Sequence, residues 1–153
     1  LEVPKIKKVV VNTGIGRLVA QKTGKEQEQI AGHIASDLGK ICGQKPVITR
    51  AKISISAFKL REGMPTGLKV TLRGQRMYDF IERLIYIAFP RSRDFRGVKL
   101  SSLDTNGNLT MGIPEHIIFP EILPEESHHN FGLEITVVTN AKNRDEARAL
   151  FEL

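Results

Sequence analysis

Val47-Ile48-Thr49-Arg50-Ala51-Lys52-Ile53-Ser54-Ile55-Ser56-Ala57-Phe58 alternates two kinds of residue, and Leu68-Lys69-Val70-Thr71-Leu72-Arg73 does so again. Period-two alternation marks a strand half-buried against a core. In the first stretch the phase Val47, Thr49, Ala51, Ile53, Ile55 and Ala57 is expected to face inward. In the second, Leu68, Val70 and Leu72 take that place. Lys59 to Gly67 between them has the glycine and proline content of a hairpin loop. The expectation is a long antiparallel pair whose outer face gathers Arg50, Lys52, Ser54, Ser56, Lys69, Thr71 and Arg73. That face is basic and hydroxyl-rich.

Working outward, Ile6 to Asn12 carries the β-branched run Val9-Val10-Val11 and reads as a strand ending at Asn12-Thr13-Gly14-Ile15-Gly16. Thr23 with Glu26 three residues on is a capping box, and Ile30, Ile34, Leu38 and Ile41 then fall on one helical face. Gly43 supplies the stop and Pro46 forbids continuation. Met77, Phe80, Ile81, Leu84, Ile85 and Ala88 predict a second amphipathic helix, ended by Pro90 and able to cover the apolar side of the sheet. Pro90 to Gly112 reads as irregular with a turn at Asn106-Gly107, and Ile113 to Pro124 as an apolar and acidic stretch broken by three prolines. Leu133 to Thr139 is a further strand, and Asn143 with Glu146 caps a last helix carrying Ala147, Leu150 and Phe151.

The 153 residues have room for one domain and a sizeable core. With 41% hydrophobic and 26% charged residues the chain is too apolar to be mainly disordered. No run reaches the roughly 18 apolar residues that span a bilayer, and no cationic and apolar leader opens the sequence, so a soluble protein without an export signal is expected. The single cysteine, Cys42, excludes an internal disulfide and a multi-thiolate zinc site. Charge is more informative. Through Lys99 there are 20 basic and 8 acidic residues, net +12; from Leu100 onward there are 3 basic and 9 acidic, net −6. A polyanion would meet the first two thirds.

Readings as an enzyme find little support. Gly14-Ile15-Gly16 has Val19 where a dinucleotide fingerprint needs its third glycine, and Gln21 stands where a phosphate loop needs glycine before Lys22. His116, His128 and His129 lack a helical i, i+4 partner set and read as loop or surface histidines, and Cys42 as a partly buried structural thiol. Glu115, Glu121, Glu125 and Glu126 lie in a proline-broken segment that fixes no spacing between carboxylates. No catalytic residue, metal or cofactor is assigned. The basic strands, in contrast, suit RNA: lysine and arginine neutralise phosphates, and Ser, Thr, Asn and Gln bond phosphate and ribose hydroxyls. At 6% aromatic residues, stacking on bases is the weaker mode.

Val3-Pro4-Lys5-Ile6 leading to Asn12-Thr13-Gly14-Ile15-Gly16, Gly43-Gln44-Lys45-Pro46, Thr49-Arg50-Ala51-Lys52, Phe58 to Pro65, Val70-Thr71-Leu72-Arg73-Gly74, Arg93-Asp94-Phe95-Arg96-Gly97 and Ile117-Ile118-Phe119-Pro120-Glu121, in that order, closely resemble the bacterial-type large-subunit ribosomal protein five family. The resemblance implies an α+β fold, an antiparallel β-sheet with helices packed on one face and the opposite basic face free for RNA, as one domain over residues 1–153. It implies a structural, non-enzymatic constituent of the large ribosomal subunit that binds 5S rRNA in the central protuberance of a cytoplasmic bacterial or an organellar ribosome. Asn12, Gln44 and Thr71 match family positions that touch 5S rRNA, and Arg50, Lys52, Ser54, Lys69 and Arg73 match its neighbouring contacts. Phe58, Lys59, Arg61, Gly63, Met64 and Pro65 resemble the loop that reaches P-site tRNA, with Gly63 and Pro65 shaping an exposed tip. Large-subunit rRNA, other central-protuberance proteins and a small-subunit head protein across an intersubunit bridge are the further partners implied. A free-standing RNA-binding regulator without 5S specificity is the alternative. Ile53, Asn106, Leu109, Pro114 and His116 depart from the family pattern, mostly by removing charge or hydrogen-bonding groups, so no RNA contact is carried to the later segment. The helix that usually precedes the Val-Pro motif and the basic tail after the last helix are absent from these residues, so that either the sequence is trimmed or other components make those contacts.

Overall fold

A computed structural model describes residues 4–52, 62–92 and 102–151. Five strands, β1 (Ile6–Gly14), β2 (Val47–Arg50), β3 (Pro65–Leu72), β4 (Leu109–Ile113) and β5 (Leu133–Thr139), form one sheet in the order β2-β3-β1-β5-β4. Every neighbouring pair is antiparallel. The helices are α1 (Gly16–Val19), α2 (Gly24–Cys42), α3 (Gly74–Arg83), α4 (Phe89–Arg91) and α5 (Arg144–Phe151). The α+β class and the antiparallel sheet are as the sequence led us to expect.

The core lies between one face of the sheet and the helices. Register places Val9 opposite Leu72 and Val137, and Val11 opposite Val70 and Ile135, so the alternation of three strands converges on one apolar layer. Ile34, Leu38 and Ile41 of α2 close that layer, all essentially without solvent contact. Burying such side chains stabilises by roughly 1.5–3 kcal/mol each. The α2 boundaries follow their signals: Thr23 Oγ1 accepts from the Glu26 N–H at 3.2 Å, and Gly43, at φ 71°, donates its N–H to the Gly39 carbonyl at 2.8 Å. At α5, Asn143 Oδ1 accepts from the Glu146 N–H at 2.9 Å.

Several expectations are corrected. The hairpin strands are offset: β2 ends at Arg50, β3 starts earlier than expected, at Pro65, and residues 53–58 of the expected first strand lie outside the described residues. The β2 phase is inverted. Val47 and Thr49 pair with Lys69 and Gly67 on the open face, while Ile48 pairs with Leu68 on the core side. The partner strand decides the matter, because β3 buries Leu68, Val70 and Leu72 and β2 must follow its pleat. Gly67 belongs to the strand rather than the loop; a Cβ there would meet the Thr13 carbonyl oxygen at 2.8 Å.

Pro90 does not end the second helix. Between α3 and α4 the chain widens into a π turn, Leu84–Ala88, in which the Phe89 N–H reaches back to the Leu84 carbonyl. The extra residue places Pro90 in the first turn of α4, where no N–H is required. It also turns Ile85 to solvent, with Tyr86 and Ile87 beside it. Finally, β4 occupies the end of the stretch read as irregular, and a four-residue helix, α1, opens on the Gly14-Ile15-Gly16 turn. The turn at Asn106-Gly107 is present, with Gly107 at φ 86° and Asp104 Oδ1 accepting from the Asn106 and Asn108 N–H groups.

Candidate nucleic-acid interface

The sheet face away from the helices is uncovered by any described helix and carries the side chains that alternate with the core. On β1 these are Lys8, Val10 and Asn12; on β3, Lys69 and Thr71. Asn12 stands opposite Lys69 on one side and Glu134 on the other, and Val10 stands opposite Thr71 and Thr136. Thr110 of β4 continues that second row, its hydroxyl 3.3 Å from that of Thr136. Arg73, extended and exposed just beyond β3, continues the alternation of Lys69 and Thr71.

Gln44 joins this group by a specific route. β2 begins only at Val47, opposite Lys69, which leaves the Thr71 carbonyl without a strand partner on that side. The Gln44 side-chain amide donates to that oxygen at 2.9 Å, and its own carbonyl oxygen accepts from Arg76 at 3.3 Å. Asn12, Gln44, Lys69 and Thr71 are thus brought together, with Arg73 at the border. Asn12, Lys69 and Glu134 make no side-chain hydrogen bond or ion pair among the described residues, so their polar atoms are available to a ligand.

Arg50 is not part of this face. It lies past the β2 irregularity, opposite Pro65, and its guanidinium grips both carboxylate oxygens of Glu28 on α2, one of them at 3.1 Å. That bond holds the Glu28 carboxyl below its ordinary range and raises the guanidinium. The placement of Arg50 with Lys69 and Arg73 on one surface is therefore corrected: the inverted phase of β2 sends it toward the helices. Lys52 is exposed beyond the strand. Ser54 and Ser56, like Phe58, Lys59 and Arg61, lie outside the described residues. The exposed tip expected at Gly63 and Pro65 is corrected in part: Gly63 is exposed, but Pro65 is not. Gly63 donates to the Ala51 carbonyl and Ala51 donates to that of Met64, both at 2.9 Å, and Met64 and Pro65 are buried. These residues form the base of the loop.

Lys8, Thr110, Glu134 and Thr136 were missed as face residues. The signal existed: Lys8-Val10-Asn12 and Glu134-Thr136-Val138 each alternate with a buried phase.

The histidines do not build a catalytic or metal centre. His116, read as a loop or surface histidine, is fully buried. Its Nδ1 accepts from the Phe131 N–H at 3.4 Å, so Nε2 carries the proton and faces Ser127 Oγ at 2.9 Å and Asp37 Oδ2 at 3.2 Å. Ser127 Oγ in turn donates to Asp37 at 2.8 Å. A ring that donates toward serine cannot take its proton, so this Ser-His-Asp set is a structural clasp between α2 and the 116–131 segment. His33 and His128 stack at 4.1 Å between centroids, with His129 beside them; among the described residues no group of three ligands converges on a metal position. Burial, reinforced by His33 and His128, pushes the His129 imidazole below its ordinary pKa, with Asp37 opposing. Cys42 is buried, and desolvation pushes its thiol up to about 12. No described helix is long and apolar enough to cross a membrane.

Residues 1–61 match the family model described as ribosomal protein L5, and residues 65–153 match the model for the C-terminus of that ribosomal family. The large ribosomal subunit protein uL5 of Halothermothrix orenii is 50% identical over 153 residues, covering 100% of this chain and 82% of the relative. The proteins of the same name from Thermotoga maritima and Trichlorobacter lovleyi are 49% and 51% identical over 152 residues, covering 99% of this chain and 79% and 82% of theirs. With both family models matched in order and half of all residues shared with these relatives, the chain belongs to the ribosomal protein L5 family, a family of structural ribosomal proteins rather than enzymes.

Proposed function

We propose that this large-subunit ribosomal protein binds 5S rRNA across its open sheet face and so helps hold the central protuberance together. The observation that carries the reading is the convergence of Asn12, Gln44, Lys69 and Thr71 on that face. Lys8, Lys69 and Arg73 would neutralise phosphates and release counterions, while Thr71 would fix register by a hydrogen bond to a sugar or phosphate oxygen. The sheet is preorganised for this, because α2 anchors Gln44 and Gln44 anchors the Thr71 backbone. We further propose that the loop carrying Phe58, Lys59, Arg61, Gly63, Met64 and Pro65 reaches P-site tRNA. Contacts with large-subunit rRNA, neighbouring protuberance proteins and a small-subunit head protein complete the assignment, within a bacterial cytoplasmic ribosome as the relatives suggest.

The test is a competition titration at fixed salt. The chain should prefer 5S rRNA to unrelated duplexes, and Thr71→Ala should weaken 5S binding by about 1 kcal/mol. Equal affinity for all duplexes would point instead to a free-standing RNA-binding regulator.

A further inference from the structure

The open face contains one residue that phosphate binding does not explain. Glu134 is exposed, and among the described strand residues of that face it is the only acidic one. A carboxylate held against a phosphate backbone is repelled. Its useful partners in RNA are hydrogen-bond donors, and these are the base amino and imino groups and the ribose 2′-hydroxyl.

The surroundings of Glu134 narrow the choice. Asn12 is directly across from it on β1 and Gly112 directly across on β4, and a groove there is lined by these three with Gly14, Gly132 and Pro114. A Cβ built on Gly14 or Gly112 would meet nothing within 4 Å, so the space above these strands is open beside two polar side chains that have no partner among the described residues. Cross-strand neighbours hold their Cβ atoms about 4.5–5.5 Å apart, close enough for both to address the edge of one base. A carboxylate beside a carboxamide offers acceptors next to a donor. Guanine presents the complement on its Watson–Crick edge: N1–H and the N2 amine as adjacent donors, with O6 as acceptor. Cytosine, adenine and a ribose hydroxyl do not offer two adjacent donors to one carboxylate.

We infer that the groove between β1, β5 and β4 reads one unpaired guanine, Glu134 accepting from N1–H and the N2 amine while Asn12 donates its amide to O6. This rests on the assignment of the open face to RNA. Recognition is sequence-specific here, whereas the Lys69 and Arg73 side of the face only positions the backbone.

The experiment uses the full chain and bacterial 5S rRNA transcripts in which guanosine is randomly replaced by inosine, which lacks the N2 amine. Bound and free pools are then sequenced. One position is expected at which inosine weakens binding about tenfold, and at which it has no effect on Glu134→Gln. That variant should itself bind unmodified RNA about tenfold less tightly, as should Gly112→Leu, which fills the groove. Binding by Glu134→Gln that is equal or tighter, an unchanged inosine pattern, or interference from 2′-deoxy rather than inosine substitution would overturn the proposal. If the unaltered chain shows no preference for 5S rRNA, the function assigned to the face fails with it. If that preference holds while Glu134→Gln behaves like the parent, only the guanine site fails.

Discussion

The β2-β3-β1 half of the sheet and the β5-β4 half share one ladder but are secured differently. The first is fastened by aliphatic layers, Val9, Val11, Leu68, Val70 and Leu72 against α2, and its outward groups Asn12 and Lys69 remain unspent. The second adds polar bonds, Thr139 Oγ1 to the Gly107 carbonyl at 2.7 Å and the His116 clasp, and Thr13 Oγ1 of β1 ties the two halves together through the Gly132 carbonyl at 2.7 Å. Most outward cations lie on the first half, and the outward carboxylate lies on the second. Buried polar groups are thus used for positioning, whereas the outward Asn12, Lys69 and Glu134 are left free for binding, so stability and RNA affinity should respond to different residues.

The largest effect should come from the clasp. His116→Ala removes bonds to Asp37, Ser127 and Phe131 and leaves a buried cavity, so about 3 kcal/mol of unfolding free energy should be lost. Chemical denaturation reads it; a loss below about 1 kcal/mol would erase the distinction between the halves. The RNA affinity of the folded variant should stay within about twofold of the parent. On the other half the pattern reverses. Lys69→Ala should leave stability within about 0.5 kcal/mol, yet weaken RNA binding and lower the salt slope by about one. Arg50→Ala, on the helix side, should leave that slope unchanged. Equal slopes for both variants would mean that the open face is not the binding face.

The smallest effect concerns pH. The folded imidazole of His129 titrates below its unfolded counterpart, so between the two values the unfolded chain binds more protons and stability rises with pH. Stability should therefore begin to fall as pH drops below about 6.5 and continue to fall until the folded group is protonated. His33, His128 and Lys22 add to the cost of that proton, and Asp37 offsets part of it. His129→Gln should flatten the slope in thermal melts taken between about pH 7 and 5. An unchanged slope would remove this residue from the account.

Local alternation and capping made β1, β3, β5, α2 and α5 legible, because in each the residue pattern and the tertiary environment agree. β2 misled for a physical reason. Val47-Ile48-Thr49 suits either phase, and only the partner strand's buried Leu68 selects one. Arg50 moved with that choice, which removed it from the open face that carries Lys69 and Thr71. The π turn was illegible because apolar spacing from Met77 to Ala88 fits an unbroken helix until Pro90 demands an extra residue. His116 looked like a surface histidine because its partners, Asp37 and Ser127, lie 79 and 11 residues away along the chain.

Cys42 offers a practical use of that packing. It is the chain's one thiol, is almost wholly enclosed at the end of α2, and ionises only near pH 12. A thiol-directed reagent at neutral pH therefore has to wait for the molecule to open. The rate at which label accumulates becomes a built-in gauge of opening, usable on the unmodified chain with and without RNA. Protection conferred by a bound transcript could then be followed within assembling particles, where denaturant titrations cannot be performed.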